Sequence, residues 1–235
     1  MPAHLHRLST PRPVRQGSAT LARLHGVAAV VLLALCTAAP PLAAAAPDPT
    51  LWQGLEYRHV GPFRGGRATA AAMVPGEPYS FYFGSTGGGL WFSDDAGETW
   101  RNVTDGKIDA GGIGAVAVAP SDANVIYLGT GSACIRGNVS PGVGAYRSLD
   151  RGVTWERIGL ERAGQIGDIV VHPNDAETVW LAALGDAFGP NDERGVFRTT
   201  DGGATWRKTL FLANRHGCAD LDPTPKHPNI LSPSF

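Results

Sequence analysis

Charge is scarce in this chain. Charged side chains make up only 17% of its 235 residues, with 20 basic against 21 acidic groups and a formal net charge of −1. No charge run is long enough to serve as a nucleic-acid-binding tail, and an apolar share of 43% is too high for a disordered chain. Acidic residues are missing altogether before Asp48, while Arg7, Arg12, Arg15 and Arg23 fall in that stretch. The apolar run from Gly26 to Ala39 that follows them is too short to span a bilayer, which takes about 20 residues. A basic leader, a short apolar core and the small residues Leu42 to Ala46 are the layout of a secretory signal peptide. Cleavage after Ala45 is expected, with a retained anchor as the alternative. Cys36 follows Leu35 inside the apolar core, which excludes a lipoprotein signal.

Removing residues 1–45 takes away four arginines and no acid, so 16 basic groups face 21 acidic ones, a net charge of −5 on 190 residues. A mildly acidic mature protein excludes a general nucleic-acid role. Cysteine is scarce as well. Of the three, Cys134 and Cys218 remain after the cut, in an export context where disulfides are permitted. They occupy non-equivalent parts of the repeat described next, so they read as isolated residues, with a bridge as the lesser alternative.

Turn-formers are abundant instead: 31 Gly and 18 Pro make up about a fifth of the chain, which excludes a helical bundle or coiled coil. Three octapeptides match almost position by position: Ser93–Trp100, Ser148–Trp155 and Thr199–Trp206, each of the form [Ser/Thr]-x-Asp-x-Gly-x-Thr-Trp. Their aspartates, Asp95, Asp150 and Asp201, are 55 and 51 residues apart, the spacing of whole supersecondary units. A second landmark recurs in phase. Ile113–Pro120 is followed by Val125–Gly129, and Ile166–Pro173 by Thr178–Ala182, each pair separated by a Pro/Asn/Asp turn. Every repeat reads as four short strands, the third like Gly144 to Ser148 and the fourth starting at the Thr-Trp pair. The expected fold is therefore all-β, a β-propeller of four-stranded antiparallel blades.

The octapeptide is explained by mechanics alone. An Asp in a turn accepts backbone N–H bonds, the Gly two residues on (Gly97, Gly152, Gly203) takes a positive φ, and the leading hydroxyl (Ser93, Ser148, Thr199) adds a local bond. Trp100, Trp155 and Trp206 are then expected to bury aromatic surface between neighbouring blades. A calcium loop at Asp94–Glu98 lacks the ligand count such a loop requires, and no metal or cofactor is expected.

Both ends of the chain carry pieces of blades. Tyr57-Arg-His-Val-Gly61 resembles Trp100–Val103 and Trp155–Gly159, yet it precedes the first inner strand. It reads as the outer strand of a blade closed from the far end of the chain. Gly217–Pro223 stands in the phase of an inner strand, and Ile230-Leu231 begins a second one. The expected organisation is signal peptide 1–45, N-terminal segment 46–60, blades at 61–104, 105–159 and 160–210, and a partial blade at 211–235. That makes about three and a half blades, where closed propellers need about four to eight, so the remaining blades are expected in a longer parent chain.

The octapeptide pattern is that of the Asp-box, or bacterial neuraminidase repeat, and the resemblance covers roughly residues 55–231. Gly61–Arg67, Gly129–Asn138 and Ala183–Pro190 further resemble exported bacterial proteins of the glycosyl hydrolase or sortilin N-terminal-like repeat kind. That resemblance implies long chains with one or two propellers, in the periplasm or outside the cell. This chain departs from it at Ser132, where Glu commonly stands, and by about two residues missing between Leu221 and Asp222. In xyloglucanases with this repeat the catalytic base looks like an Asp after the second strand of the first blade. The matching segment here is Gly84–Gly89, with Thr86 at that place. The Arg-Ile-Pro signature of sialidases is not matched by Arg64-Gly-Gly-Arg67.

Loops on the face opposite the octapeptide turns supply the candidate site residues, since loops on a rigid scaffold commonly carry function. Arg64, Arg67, Arg136, Asn138, Arg194 and His216 are the candidates for ligand binding, with Arg162 and Arg215 on inter-blade connections. Arginines suit two-point recognition of carboxylate or sulfate; mutual pairing that holds the loops is the alternative. Two functional readings follow. One is an exported binding module for a protein, peptide or carbohydrate ligand without a complete catalytic site. The other is a glycoside hydrolase whose carboxylates lie partly in further blades or among Glu161, Asp186, Asp192 and Glu193. A purely structural scaffold is a third class.

Overall fold

The computed structural model describes residues 66–224 and 227–235, with Asp48, Thr50, Gly54 and Leu55 ahead of them. The chain divides into two compact units, Met1–Val60 and Gly61–Phe235. In the first, the Thr50 backbone N–H donates to Asp48 Oδ1 at 2.9 Å. The leader, its cleavage site, the Tyr57–Gly61 segment and Arg64 lie outside the described residues.

The second unit is built from strands, and no α-helix occurs among the described residues. The first sheet holds β1 (Ala68–Met73), β2 (Phe81–Ser85), β3 (Leu90–Ser93) and β4 (Arg101–Asn102). The second holds β5 (Ile113–Ala119), β6 (Asp122–Thr130), β7 (Ala145–Ser148) and β8 (Glu156–Arg157). The third holds β9 (Gln165–His172), β10 (Asp175–Gly185), β11 (Gly195–Thr199) and β12 (Arg207–Leu210). A hairpin of β13 (Asp220–Thr224) and β14 (His227–Ser234) follows. Within each sheet the strands lie in chain order with antiparallel neighbours. The fold is all-β, a partial β-propeller of four-stranded antiparallel sheets.

Two boundaries differ from the sequence expectation. The fourth strands begin one residue after the tryptophan, at Arg101, Glu156 and Arg207, because the turn's Asp engages the backbone N–H of Thr99, Thr154 or Thr205. In the hairpin, Thr224 pairs with His227, so the connection is very short and the second strand starts well before Ile230.

Side chains alternate across each sheet, and both faces are covered where sheets stack. Tyr82, Leu90, Phe92 and Val103 of the first sheet meet Val116, Val118, Ile126, Leu128 and Tyr146 of the second. On the second sheet's other face Tyr127 and Ala145 meet Ile169, Val171, Leu181 and Phe197 of the third. The third sheet's far face packs Trp180, Ala182 and Val196 against Cys218 and Leu221 at the hairpin. Inner strands covered on both sides are apolar along their whole length, as β5 is.

Glycine sets the closest approach between sheets. A Cβ placed on Gly84 would fall 2.5 Å from Ile113 Cγ2, and Gly129 has the same relation to Ile166. The sheets stack at a distance that only a missing side chain allows at these two equivalent positions.

Tryptophan and tyrosine tie the stack together in opposite directions. Trp155 Nε1 donates to the Val103 carbonyl at 2.9 Å and Trp206 Nε1 to the Ile158 carbonyl at 2.7 Å, each reaching back to the preceding sheet. Tyr82 Oη donates forward to the Arg151 carbonyl at 3.1 Å and Tyr127 Oη to the Ala176 carbonyl at 2.7 Å. Burial pushes both phenols up to about 12. Trp100 differs from the expectation. It is 39% exposed, meets Phe83 edge-on, and donates to the Gly97 carbonyl of its own turn, because among the described residues no sheet precedes the first.

Candidate functional site: two rims of the propeller

The octapeptide turns form one rim. Each sits beside the turn joining the first two strands of its own sheet: Ala96 N–H donates to the Tyr79 carbonyl, Arg151 N–H to Asn124 and Gly202 N–H to Glu177. In the first turn, Asp95 accepts from the Thr99 hydroxyl at 2.6 Å, the Thr99 backbone at 2.9 Å and the Ser93 hydroxyl at 2.7 Å. Ser93 Oγ in turn accepts from the Gly97 N–H at 2.8 Å, and Gly97 has φ 92°. The same network recurs in Ser148, Asp150, Gly152 and Thr154 and in Thr199, Asp201, Gly203 and Thr205.

These bonds favour the ionised aspartate. The hydroxyl of Thr99 above all holds Asp95 down at about 2, and that of Thr199 does the same for Asp201. Asp150 is lowered chiefly by Thr154. Both oxygens of each of these three carboxylates are engaged by the turn itself.

The opposite rim carries the loops between second and third strands. In the first sheet that loop, Thr86–Gly89, frames a cavity of about 390 Å³ walled by Phe83 and Trp91, with Ser85, Thr86, Gly87 and Gly88 along it. Trp91 Nε1 and Asn102 Nδ2 both donate to the Gly88 carbonyl at 2.8 Å, and Gly88 N–H donates to Ser85 Oγ at 2.6 Å. The loop is thus held from three directions beside a half-buried indole. Among the described residues no carboxylate lines this cavity, whose lining includes Thr86 and Gly66.

The second sheet's loop is closed by Arg136. Its Nε donates to Asn138 Oδ1 at 2.8 Å and its Nη1 to Ser132 Oγ and the Cys134 carbonyl, each at 3.1 Å. Cys134 is exposed and Cys218 buried, both as free thiols, with burial pushing Cys218 up to about 11.

In the third sheet, Arg194 donates to the carbonyls of Leu184, Asp186 and Gly189, binding the 186–194 loop to its own base. Asp186 Oδ1 accepts from the Phe188 N–H at 2.9 Å, Glu193 N–H donates to Asn191 Oδ1 at 2.9 Å, and Lys208 donates to the Asp192 carbonyl. Arg194 and Arg215 share a cavity of about 330 Å³ with Phe188, which is 70% exposed, and Pro190.

Among the candidate residues, the structure joins Arg136 to Asn138, and Arg194 to the backbone of Asp186. Glu161, Asp186, Asp192 and Glu193 form none of the ion pairs found among the described residues. Arg67 and His216 are exposed, and the Arg67 carbonyl accepts from the Thr86 N–H at 3.2 Å. Sequence reasoning passed over Phe83, Trp91 and Phe188 as site residues. Alternation along β2 and β3 pairs Phe83 with Trp91 and Tyr82 with Phe92, a signal that separates the two faces without saying which one is covered.

Aromatic and arginine-bearing loops thus line one rim of the stacked four-stranded sheets. No family model matches the chain. It is similar to a xyloglucanase from Paenibacillus sp., 30% identical over 190 residues that make up 75% of this chain. It is also similar to a xyloglucanase from Hypocrea jecorina, 33% identical over 135 residues and 52% of this chain. The chain spans 17% and 15% of those two relatives. Among solved structures an ancestral GH74 enzyme superposes with a TM-score of 0.60 at 20% identity, over 74% of this chain and 22% of the other, a likeness of fold.

Proposed function

We propose that the chain is an exported piece of a glycoside hydrolase of the xyloglucanase kind, and that its loop rim forms part of a polysaccharide-binding cleft. Similarity to a xyloglucanase along three quarters of the chain carries this reading. The walls of the first cavity support it: Phe83 and Trp91 offer apolar ring faces for a sugar, and the Thr86–Gly88 loop offers hydroxyl and backbone groups to its edges. The basic, acid-free leader supports export.

Hydrolysis needs two carboxyl groups across the scissile bond, about 5 to 9.5 Å apart. Thr86 has no carboxyl to give; Asp105 and Asp109 line a neighbouring cavity with Gly87–Gly89, and Glu161, Asp186, Asp192 and Glu193 are the sequence candidates. That single substitution favours a second reading, in which this rim holds the polysaccharide without cleaving it.

Affinity electrophoresis of the full chain in xyloglucan gels, together with reducing-end release from xyloglucan, tests both. Retardation lost on Trp91→Ala supports the cleft. Release that falls on Asp186→Asn or Glu161→Gln supports hydrolysis, whereas retardation without release selects the binding reading. Absence of both retardation and release would overturn the proposal.

A further inference from the structure

Among the described residues Phe188 is the most exposed large apolar side chain, at 70%. The loop that carries it is nevertheless pinned along its length. Asp186 Oδ1 accepts from the Phe188 N–H at 2.9 Å, Asn191 N–H donates to the Asn214 carbonyl at 2.9 Å, and Asn191 Nδ2 donates to the Arg162 carbonyl at 3.2 Å. Arg194 adds its bonds to the carbonyls of Leu184, Asp186 and Gly189. These fastenings lie within the third sheet or in the connections on either side of it, 158–164 and 211–219, so the loop takes its position from chain on both flanks. A ring held out in water on such a loop forgoes the burial that would stabilise it, and it is already ordered when a ligand arrives.

Phe188 shares its cavity of about 330 Å³ with two cations. Arg194 and Arg215 line it together with Ala187, Gly189 and Pro190, and among the described residues no carboxylate does. The two guanidinium groups differ in what they can do. Arg194 is engaged by three carbonyls of its own loop, so it contributes positive charge and rigidity. Arg215 is exposed and forms none of the ion pairs found among the described residues. It stands in a tight turn in which the His216 N–H donates to the Ala213 carbonyl at 3.1 Å. Asp186, Asp192 and Glu193 of the neighbouring loop neither line the cavity nor enter those ion pairs, so the charge of the two arginines is left for a ligand to neutralise.

We propose that this cavity is a subsite for an acidic sugar. The ring of a uronate residue offers one apolar C–H face and one carboxylate in a single rigid unit. Its face lies against Phe188 and Pro190, and its carboxylate meets the fork of Arg215 in two-point fashion. The inference rests on the reading of this rim as a polysaccharide-binding face and extends it from neutral chains to uronate-bearing ones.

The test uses the full chain, titrated by calorimetry with polygalacturonate and with glucuronoxylan, each compared with the same polymer after its carboxyl groups have been reduced to alcohols. At least one acidic polymer is expected to bind about tenfold tighter than its reduced form, and to weaken as salt rises. Arg215→Gln and Phe188→Ala should each remove that difference with thermal unfolding unchanged, since both side chains are exposed, whereas Phe188→Trp should keep it. Arg101→Gln removes an equal charge from an exposed position on the first sheet and should leave the difference intact, which separates a site from diffuse attraction to a polyanion. Equal affinity for the acidic and reduced forms of both polymers would overturn the proposal, as would a difference that survives Arg215→Gln or falls as far in Arg101→Gln. Tighter binding of poly-L-glutamate than of either polysaccharide, lost in Arg215→Gln, would also overturn it by assigning the cavity to an acidic protein. Xyloglucan, which is uncharged, is titrated alongside. Binding to it without preference for either acidic polymer removes this subsite and retains the cleft, whereas a carboxylate preference without xyloglucan binding supports the subsite and counts against the cleft.

Discussion

The indole N–H of Trp206 donates to the carbonyl of Ile158 across the boundary between the third and second sheets, at 2.7 Å. Trp155 and Val103 stand in the same relation one sheet earlier, at 2.9 Å. One ring therefore both fills the space between two sheets and satisfies an outer-strand carbonyl of its neighbour, and the two contributions separate by substitution. Trp206→Phe keeps most of the apolar contact and is expected to destabilise by about 1 kcal/mol, the net worth of a typical hydrogen bond. Trp206→Ala should cost about 3–5 kcal/mol, as for large aromatic truncations. Trp100→Ala should cost distinctly less, because Trp100 is 39% exposed and bonded only within its own turn. Denaturant unfolding of the three variants checks the order.

The turn aspartates give the fold an acid limit. Asp95 and Asp201 are held at about 2 in the folded chain by hydroxyl and backbone donors, whereas an unfolded Asp titrates near about 3.9. A lowered folded value means stability that is complete above the unfolded value and lost as pH falls from about 4 toward 2. Thermal unfolding followed across that range should show this loss. Asp95→Asn and Asp201→Asn should start from a lower Tm and fall more gently over the same interval.

Asp168 acts with the opposite sign. Burial raises its carboxyl against the pull of the Leu221 and Ile169 N–H groups, which donate to it at 3.0 and 2.8 Å. A raised folded value means the contribution is complete below the ordinary Asp value and is lost as pH rises through the raised one. Asp168→Asn keeps an acceptor for the Leu221 N–H and removes the ionisation. It is expected to match or exceed the parent's Tm at pH 7 and to show a flatter stability profile as pH rises above the ordinary Asp value. A Tm at pH 7 well below the parent's would show that the carboxylate charge itself stabilises the strand contact.

Gly84 is the cleanest probe of sheet stacking. A Cβ there would sit 2.5 Å from Ile113 Cγ2, so Gly84→Ala should cost about 1–3 kcal/mol through overpacking. Gly84→Ala combined with Ile113→Ala, which removes the clashing Cγ2, should cost less than the sum of the two single substitutions. A double-mutant cycle from urea unfolding measures the coupling, and strict additivity would show that the two sheets adjust their spacing instead.

Legibility in the sequence follows the range of the interactions. Each octapeptide turn closes within eight residues through its own hydroxyls, Asp and Gly, so its sequence names both its structure and its period, and the four-stranded sheets follow from that period. The loop rim is harder to read. Arg194 looks like a ligand-binding cation in sequence, yet its donors reach the carbonyls of Leu184, Asp186 and Gly189, contacts set by the path of a loop. Phe83 and Tyr82 are adjacent aromatics in one strand, and only stacking decides that Tyr82 is covered by the second sheet while Phe83 walls a cavity.

The second sheet holds its neighbours on both sides at once. From it Arg151 ion-pairs with Glu77 of the first sheet at 2.5 Å, and Arg147 with Glu177 of the third. Its inner strand β5 is apolar and covered on both faces. Opening the first sheet breaks one set of contacts, whereas opening the second breaks both. Amide hydrogens of β5 and β6 should therefore exchange last, at the free energy of global unfolding, while those of β1 and β14 exchange through smaller local openings.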